Sequence, residues 1–532
     1  MSSSQAVLDN ATGSLIDSWS ISSSPISSKF LAYLIATTLF GIVLYSQSKT
    51  KSNVPLINPK HLFEFSDNRA KQYFIKNSKS LIENQFAKTP NKPFRVISDT
   101  GVATVLPPSL ADEIRNDPRL NFGGFTKKAA PGHIPGFEGF RDAFHDDPLI
   151  HEITIRDLTK ELDKVTGPVS EEAELALSDL FGEDRDWHAL PLTPTVFSLI
   201  TRTMARVFLG PELCRNEEWH AITKKYSTDV YQASFALRNW HPALHSVVHW
   251  FLAPCKNARA DVQRARDIIA PVLAQRREYR KQAKAGKLDV PEFNDAMEWI
   301  ERAANGRPYD AAITQLTLSV VAVHNTTDLF SQVLIDLARN QDMLEPLCDE
   351  IKTVIKTHGW NKTALYHLKL LDSVIKESQR MKPMLLAAMR RVALEDVTLS
   401  DGTTLPKGDM IAVSTHNMRD PSLYPEPDKW DGRRFLRIRE TVPGKENASQ
   451  LVTTTPEHLG FGHGYNACPG RFFAANEMKI IFVHMLLKYE WRLAPGTDPK
   501  PIFSGFSIRL DPTINMEFRR RYGDEGILNF TN

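Results

Sequence analysis

The sequence predicts a mainly α-helical protein with a minor β portion, preceded by one transmembrane helix. Residues 150–395 carry a mostly helical spacing of apolar positions, which includes a long run at 309–340. Residues 91–108 alternate as two short strands around a turn at 99–101, and a mixed strand and loop zone follows at 392–413. Residues 30–45 contain no charged side chain and approach the length that crosses a bilayer.

The composition narrows the class of protein. Hydrophobic residues make up 42% and charged residues 24% of the 532 residues, which is ordinary for a globular chain. The formal net charge of +2 is too small to indicate binding to nucleic acid or to an acidic substrate. The four cysteines form no CxxC pair, so the sequence suggests neither a zinc site nor a disulfide framework. We therefore expect the main part of the chain to lie in a reducing compartment.

The amino-terminal region divides into three predicted parts. Residues 1–29 are rich in serine and are expected to be a disordered lumenal segment, 30–46 form the transmembrane anchor, and 47–59 link it to one domain at 60–532. Lys49 and Lys51 follow the apolar run and only Lys29 precedes it, which places the following chain on the cytosolic side. A cleaved signal peptide fits less well, because no small-residue cleavage site follows the run.

The strongest chemical signal is the segment FGHGYNACPGRFF, which begins at Phe461. Gly464 and the glycine two positions before it allow a loop to turn back and to approach a flat ligand closely. Cys468 then lies at the start of an apolar helix predicted at about 471–488. Backbone N–H groups at a helix N-terminus stabilise a thiolate, which is what a metal-bound sulfur requires. A buried structural cysteine is the alternative, and the spacing of the neighbouring residues decides against it.

The order Phe461, Gly464, Cys468 and Gly470 resembles the haem-binding signature of the cytochromes P-450, F-x-x-G-x-[R/H]-x-C-x-G. The resemblance implies the cytochrome P-450 fold for 60–532, as a haem-thiolate catalytic domain. It also implies that Cys468 is the axial ligand of the iron in haem b, iron protoporphyrin IX, and a thiolate ligand favours O–O cleavage. Asn466 stands where the signature has Arg or His, so it would hold a haem propionate by a hydrogen bond without a charge.

Two further segments resemble the E-x-x-R motif of the family and its P-x-x-F-x-x-x-R-F segment. Glu377 and Arg380 share one face of a helix, and Arg434 precedes Phe435, while Trp430 replaces the usual Phe of that segment. The resemblance implies that Glu377, Arg380 and Arg434 form an ion network that holds the loop behind the haem. An isolated Glu/Arg pair at this spacing would instead be a solvated surface pair worth well under ~1 kcal/mol.

The strand region after the E-x-x-R helix resembles the part of the family that binds a haem propionate through an arginine. Successive residues of a strand point to opposite faces, so only one of Arg390 and Arg391 should serve. The position in the strand favours Arg391.

The run 317–338 resembles the long central helix of the family, in which the pattern A/G-G-x-D/E-T-T/S here reads AVHNTT. Thr326 aligns with the threonine that hydrogen-bonds dioxygen and helps to deliver protons. Val323 replaces a glycine and Asn325 replaces the acid, so the usual helix distortion and the usual proton relay are both in question. We expect Asn325 to position water for Thr326, with Asp328 in support on the same face. The structural alternative is that Thr326 only bonds back to a preceding carbonyl.

The segments HNTTDL, ESQRMKP and FGHGYNACPGRFFA look like those of fungal microsomal members that act in secondary metabolism. Such members oxidise terpenoids, meroterpenoids, indole diterpenes and steroid-like rings. Apolar side chains at corresponding positions form the predicted substrate pocket: Phe122, Val321, Ala322, Met384, Leu385, Ala388 and Phe503 or Phe506. Each one alone reads as an ordinary core residue, but the set suits a bulky lipophilic ligand.

The sequence has no glycine-rich dinucleotide fingerprint between a strand and a helix, and no flavin domain. Electrons are therefore expected from NADPH through a flavoprotein partner, NADPH–cytochrome reductase, with cytochrome b5 as a further candidate donor. The candidate docking residues are basic: Arg433, Arg437, Arg439, Lys445 and Arg471. The resemblance implies a single-pass protein of the endoplasmic reticulum membrane with a cytosolic catalytic domain.

Three functions of different classes follow from these observations. The first is a monooxygenase that hydroxylates, epoxidises or successively oxidises a bulky lipophilic secondary metabolite. The second is a haem-thiolate enzyme without net monooxygenation, such as an isomerase, a dehydratase or a peroxide-using enzyme, and Asn325 keeps it open. The third is a non-enzymatic haem carrier or sensor, against which the apolar pocket set and Thr326 argue. Consumption of NADPH and oxygen discriminates the first two.

Overall fold

The computed structural model describes residues 52–61, 64, 66–129, 132–144, 148–238, 240–286 and 292–522, together with positions 33 and 37. The predicted anchor at 30–46 lies outside these residues apart from those two positions. Among the residues that the structure describes, no helix is both long and apolar enough to cross a membrane. The main compact unit begins at Asn53, inside the predicted linker. There the buried Asn58 amide bonds to the backbone of Ile97 at 2.8 and 3.0 Å.

The described part of the chain is mainly helical. Its α-helices are α1 (Asn68–Lys88), α2 (Ala111–Ile114), α3 (Phe122–Ala129), α4 (Glu138–Phe144), α5 (Pro148–Ile153), α6 (Leu162–Phe181), α7 (Leu192–Phe208), α8 (Glu217–Leu237), α9 (His245–Val248), α10 (Ala253–Lys284), α11 (Ala296–Ala304), α12 (Ala311–Arg339), α13 (Leu344–His358), α14 (Lys362–His367), α15 (Lys369–Met381), α16 (Arg434–Thr441) and α17 (Arg471–Lys488). A π-helical turn, Thr154–Leu158, follows α5.

The strands of the described residues are short and form four small sheets. They are β1 (Phe94–Ser98), β2 (Gly101–Leu106), β3 (Leu120–Asn121), β4 (His188–Pro191), β5 (Ala387–Ala393), β6 (Val397–Thr398), β7 (Thr404–Leu405), β8 (Met410–Ser414), β9 (Tyr489–Leu493), β10 (Ile502–Ser504), β11 (Ser507–Arg509) and β12 (Asn515–Arg520). The largest sheet has the order β1-β2-β8-β5-β3, in which only β2 and β8 run parallel. The remaining sheets are β4-β12-β9, β10-β11 and β6-β7. The prediction of a mainly α protein with a minor β portion is confirmed.

The central helix is α12, which is apolar on nearly all sides and therefore buried. Asp310 caps its start, since one carboxylate oxygen accepts from the N–H groups of Ala312 and Ile313 at 3.1 Å. The helix packs against α4, α7, α10 and α15. It continues without interruption through Val323, the residue that replaces a glycine in the resembled pattern.

One large hydrophobic core joins most of the helices with β9 and β12, and two smaller clusters lie on the five-stranded sheet. Helix α17, predicted at about 471–488, has these bounds in the structure. Phe330 of α12 stacks on Phe482 of α17 with ring centroids 4.1 Å apart, so the two helices meet in this core. The loop that carries Cys468 directly precedes α17, the helix that makes this contact.

Candidate active site

Cys468 lies at the end of a closed loop directly before α17. Its backbone N–H donates to Phe461 O at 2.8 Å, which closes the loop. Cys468 is exposed, whereas the other three cysteines are buried. Surrounding protein raises the pKa of the Cys468 thiol, while the N–H of Gly470, the charge of Arg471 and the N–H of Arg471 act to lower that pKa. A cysteine that a ligand can reach, and whose sulfur faces backbone N–H groups, has the surroundings of a metal ligand.

Gly464 fixes the position of this loop against the segment after α2. Its φ is +79°, a conformation that favours glycine. A Cβ at this position would lie 2.4 Å from the Arg115 Cβ and 2.7 Å from the Arg115 carbonyl oxygen. The neighbouring His463 Nε2 lies 3.0 Å from an Asp112 oxygen and 3.2 Å from an Arg115 nitrogen. The loop can therefore approach α2 this closely only with glycine at 464.

The structure brings together the three residues of the predicted ion network. Glu377, Arg380 and Arg434 are all buried. Arg380 donates to both oxygens of Glu377 at 2.7 and 2.9 Å, and Arg434 Nε donates to the same carboxylate at 3.1 Å. Two guanidinium groups therefore share one carboxylate, which leaves several N–H donors for other acceptors.

Those donors bind the backbone of the irregular segment at 418–429. Arg380 Nη1 donates to the carbonyls of Met418 and Pro427, and Arg434 donates to those of Pro425, Glu426 and Lys429, at 2.6–3.2 Å. The arginine side chains thus satisfy backbone carbonyls that a helix or a sheet would satisfy in a regular segment. Trp430, which replaces a phenylalanine of the resembled motif, adds a bond that phenylalanine lacks. Its indole N–H donates to Ser378 Oγ of α15 at 3.1 Å.

A second polar cluster on α15 holds the 448–453 strap, the segment that leads to the Cys468 loop. Three charged side chains bind the backbone of the strap: Lys376 at Ala448 O and Gln450 O (2.8 and 2.6 Å), Asp372 at Leu451 N (2.8 Å), and Arg471 at Val452 O (3.0 Å). Lys479 of α17 pairs with Asp372 at 2.5 Å. Sequence reasoning missed this cluster, because a lysine beside a glutamate reads as part of a solvated face. The available signal was limited to the apolar residues before Lys376, at 370–371 and 374–375, because the residues that follow it, ESQR, are polar.

Arg390 and Arg391 do not follow the alternation that was expected of an extended strand. The register of β5 against β8 shifts between Ala388 and Arg391, and Met389 has a φ of +49°, so a bulge interrupts the strand. The Arg391 guanidinium lies over the ring of Phe122, and that of Arg390 lies over the ring of Phe125, both on α3. Both guanidiniums therefore contact α3, and that of Arg390 also lies over the ring of Phe506.

The chemistry of Arg391 and Cys468 fits a haem group. Arg391 is 2% exposed, and its Nη2 atom has no hydrogen-bond partner among the described residues. Burial lowers the pKa of Arg391 to about 10, because no carboxylate compensates its charge. A buried guanidinium with an open donor is matched to a carboxylate such as a haem propionate. Cys468 would supply the axial sulfur and Arg391 a propionate contact, whereas Asn466 is exposed on the loop.

The structure separates the predicted residues of the central helix. Thr326 is 6% exposed, and its hydroxyl donates to Ala322 O at 3.0 Å. Asn325 is exposed, and its Nδ2 donates to Val321 O at 3.2 Å. Asp328, which was expected to support a water chain, instead pairs with Lys382 and accepts from the N–H of Leu510 at 3.3 Å. Its carboxylate is therefore engaged on the side of α12 that faces α15.

The predicted pocket residues lie on three elements. Val321 and Ala322 of α12, Phe122 of α3, and Met384 and Leu385 after α15 are each half-buried. The backbone of residues 384–386 joins the β10–β11 hairpin through two hydrogen bonds of 2.8 Å. These five side chains keep accessible apolar surface, which a pocket wall requires.

Three further pocket candidates are placed differently. Ala388 is buried in a small core cluster of the sheet. The ring of Phe503 lies under the Lys79 ammonium of α1, 5.0 Å from its centroid. Phe506 packs edge-on against Phe74 of the same helix. The structure therefore does not bring Phe503 together with the half-buried set.

A cysteine in a glycine loop before a buried helix, an arginine with an open donor and a buried Glu–Arg–Arg network define a haem-thiolate protein. The family model described as Cytochrome P450 matches residues 150–517. The chain belongs to the cytochrome P450 family, and it is an oxidoreductase of the monooxygenase type.

Relatives of known name cover nearly the whole chain. "Cytochrome P450 monooxygenase TRI1" of Fusarium sporotrichioides is 45% identical over 93% of this chain and 90% of its own length. "Dihydromonacolin L monooxygenase LovA" of Aspergillus terreus is 38% identical over 93% of this chain and 94% of its own length. The solved structure "Retinoic acid bound cyanobacterial CYP120A1" covers 85% of this chain and 96% of its own with a TM-score of 0.60. At 17% identity, that structure supports the fold alone.

Proposed function

We propose that the protein inserts one oxygen atom into a C–H bond or an alkene of a bulky, lipophilic, polycyclic secondary metabolite. The candidate substrates are terpenoids, meroterpenoids, indole diterpenes and steroid-like rings, and successive oxidations at one position are included. The observation that carries the proposal is that the predicted pocket residues on α3, α12 and 384–385 keep half-buried apolar side chains, in a chain that also carries the Cys468 loop. A relative whose name gives its substrate, the dihydromonacolin L monooxygenase, supports a small organic metabolite as the substrate.

Haem b, held by Cys468, would supply the oxygen-activating chemistry, since a thiolate ligand favours O–O cleavage. The residues of this chain contribute binding and exclusion of water. Arg391 offers a donor to a propionate, and the two polar clusters of α15 hold the segment 418–429 and the 448–453 strap. The half-buried apolar set would bind the substrate and displace water from it.

Electrons would come from NADPH through a flavoprotein reductase, with cytochrome b5 as a second donor. One oxygen atom of O2 then enters the product and the other leaves as water, which requires two electrons and two protons per turnover. Two exposed basic side chains, Arg433 directly before α16 and Lys445 shortly before the 448–453 strap, support a docking face for an acidic partner.

The experiment is reconstitution of the purified holoenzyme with its reductase, NADPH and a panel of terpenoids, meroterpenoids, indole diterpenes and steroid-like compounds. We expect a substrate-induced spin-state shift for a subset of compounds, with NADPH and O2 consumed in proportion to a product that carries one added oxygen atom. Turnover that consumes neither NADPH nor O2 would favour an isomerase or dehydratase instead. Absence of any ligand-induced shift or product across the panel would favour a haem carrier or sensor.

The protein would be anchored in the endoplasmic reticulum membrane by residues 30–46, with its catalytic domain in the cytosol. Large apolar side chains exposed near α9 support contact of the catalytic domain with the same surface; they include Phe235, Trp240, Val247, Trp250 and Phe251, the last 75% exposed. Alkaline extraction should leave the full chain in the membrane fraction. Release into the supernatant, or a mature N-terminus after residue 45, would contradict the anchor.

A further inference from the structure

Arg390 of β5 carries a guanidinium group that no described residue binds. Its Nε atom is buried and lacks a hydrogen-bond partner, and its other nitrogens form neither a hydrogen bond nor an ion pair within the described part of the chain. The side chain is half-buried. Burial lowers the pKa of Arg390, and the Asp99 carboxylate acts to raise it. Because a guanidinium has five N–H donors, most of the hydrogen-bonding capacity of this group is open to a ligand.

Two aromatic rings flank the Arg390 guanidinium. Its central carbon lies 5.4 Å from the ring centroid of Phe125 on α3, and 5.4 Å from that of Phe506 in the turn between β10 and β11. Both phenylalanines are buried. Contact with aromatic faces stabilises a cation but supplies no carboxylate to its N–H groups. The rings therefore hold the group between α3 and the β10–β11 turn without satisfying its donors.

The charges around Arg390 are not balanced. Asp99, in the turn between β1 and β2, is the one carboxylate among the described residues whose charge acts on Arg390. Asp99 already pairs with Arg238, which directly follows α8, at 3.5 Å. Two guanidiniums thus share the charge of one carboxylate. A partly buried cluster with an excess positive charge is stabilised by an anion that binds to it.

The elements that flank Arg390 also carry predicted pocket residues. Phe122 lies three residues before Phe125 on α3, so the two rings share one side of that helix. Leu385 forms a β-bridge with Ser507, which directly follows the β10–β11 turn. Arg390 therefore contacts the two elements, α3 and this turn, that adjoin the half-buried apolar set.

We propose that Arg390 binds the carboxylate of a lipophilic acid, so that the protein prefers acids among the compounds of its proposed function. This inference rests on that function and names a chemical group of the substrate. A carboxylate matches the guanidinium with two parallel hydrogen bonds. A neutral compound of the same skeleton leaves the cation unpaired, and this difference gives the discrimination. Arg391, whose guanidinium lies over Phe122 instead, remains the candidate for a haem propionate.

The test compares two acids with their methyl esters as ligands of the purified holoenzyme: abietic acid, which is a tricyclic diterpene acid, and lauric acid. Binding is measured by the spin-state shift and by calorimetry at about pH 7.5, where a carboxylic acid is ionised. We expect the parent to bind at least one acid about tenfold or more tightly than its ester. Arg390→Met should bring acid and ester within about twofold, and Arg390→Lys should keep part of the preference, since it retains the charge without the planar fork.

Two further variants sharpen the comparison. Arg509→Met, at an exposed arginine of β11, is the control and should keep the preference of the parent. Asp99→Asn should strengthen acid binding by about twofold or more, because it removes a negative charge that competes with the ligand. Both effects have the opposite direction to a general loss of stability, which would weaken the binding of acid and ester alike.

Equal affinity of the parent for acid and ester, or no binding of either acid, would overturn the inference. An acid preference that survives Arg390→Met would do the same. Faster transfer of haem from Arg390→Met to an acceptor protein would assign Arg390 to a propionate and would also overturn it. The ferrous–CO spectrum tests the proposed function separately. A parent that prefers the acid by calorimetry but lacks the thiolate-type band would contradict that function and support the site at Arg390.

Discussion

Lys376 and Glu377 are consecutive residues of α15 whose side chains bind two different segments of the chain around the Cys468 loop. The Lys376 ammonium donates to two carbonyls of the 448–453 strap at 2.8 and 2.6 Å. The Glu377 carboxylate accepts from Arg434 at 3.1 Å, beyond the segment 418–429. These two consecutive residues of α15 therefore help to hold both the segment before α16, through Arg434, and the strap after it.

Replacing Lys376 by methionine should destabilise the strap. The methionine keeps most of the apolar stem but leaves the carbonyls of Ala448 and Gln450 without their donor, at an expected cost of about 1–3 kcal/mol. The measurement is the denaturant-induced unfolding of the holoenzyme, together with the share of the ferrous–CO complex that lacks the thiolate-type band. Lys356→Met, at an exposed position of α13, is the control. Equal behaviour of the two variants would show that the strap does not depend on Lys376.

Gly464 and Gly444 form a matched pair, because both have a φ of +79°. An alanine at 444 meets nothing within 4 Å, so Gly444→Ala should cost only backbone strain of about 1 kcal/mol. An alanine at 464 would place its Cβ 2.4 Å from that of Arg115, and we expect Gly464→Ala to lose haem and unfold far more easily. Haem content and the melting temperature measure the difference. Similar values for the two variants would contradict the close contact of the loop with Arg115.

The buried Glu477 of α17 should make stability depend on pH. Burial raises the pKa of Glu477 to about 8 from its usual 4.5, and among the described residues its carboxyl bonds only with Thr203 Oγ1, at 2.7 Å. The native state therefore binds a proton that the unfolded chain has released. The resulting stability is complete below about pH 4.5 and is lost as the pH rises through about 8, by up to about 1.4 kcal/mol per pH unit.

Glu477→Gln removes this titration and keeps an acceptor for Thr203. Unfolding free energies of the parent and the variant, compared from about pH 5 to about pH 8, should show the parent losing stability relative to the variant. The exposed Glu440→Gln supplies the control. A constant difference between parent and Glu477→Gln over this range would mean that the carboxyl is not protonated in the native state.

Asn466 should tolerate an arginine. The side chain is exposed, so the longer residue needs no room in the core. A guanidinium there would add a charged donor for a haem propionate, and we expect Asn466→Arg to slow the transfer of haem to an excess of an acceptor protein. Arg391→Ala should accelerate the same transfer, because it removes the buried donor. Faster haem loss from Asn466→Arg would show that the asparagine is required by its surroundings.

The features that the sequence predicted correctly depend on motifs of fixed spacing or on the periodicity of nearby residues. The bounds of α17 follow from its apolar pattern, and the order of Glu377, Arg434 and Cys468 follows from motifs with fixed spacing. The two-strand unit at β1 and β2 follows from alternation around a turn. The anchor at 30–46 and the roles of Thr326 and Asn466 remain predictions.

Other features depend on tertiary contacts that no local pattern encodes. The bulge at Met389 puts Arg390 and Arg391 against the same helix, although ideal strand geometry would separate them. The bond between His324 and Ser227 joins residues 97 positions apart. Asp328 has the spacing to help Asn325, but Lys382 engages it instead. In each case a long-range partner decides the role of a residue whose local sequence allowed several.

The central claim, that Cys468 is the thiolate ligand of a haem in this protein, is tested most directly by the ferrous–CO spectrum of Cys468→Ser. The account predicts that the parent protein shows the red-shifted thiolate-type band and that Cys468→Ser loses it. Serine variants at the three buried cysteines, 214, 255 and 348, should keep the band. A Cys468→Ser protein that retains haem and the thiolate-type band would contradict the assignment.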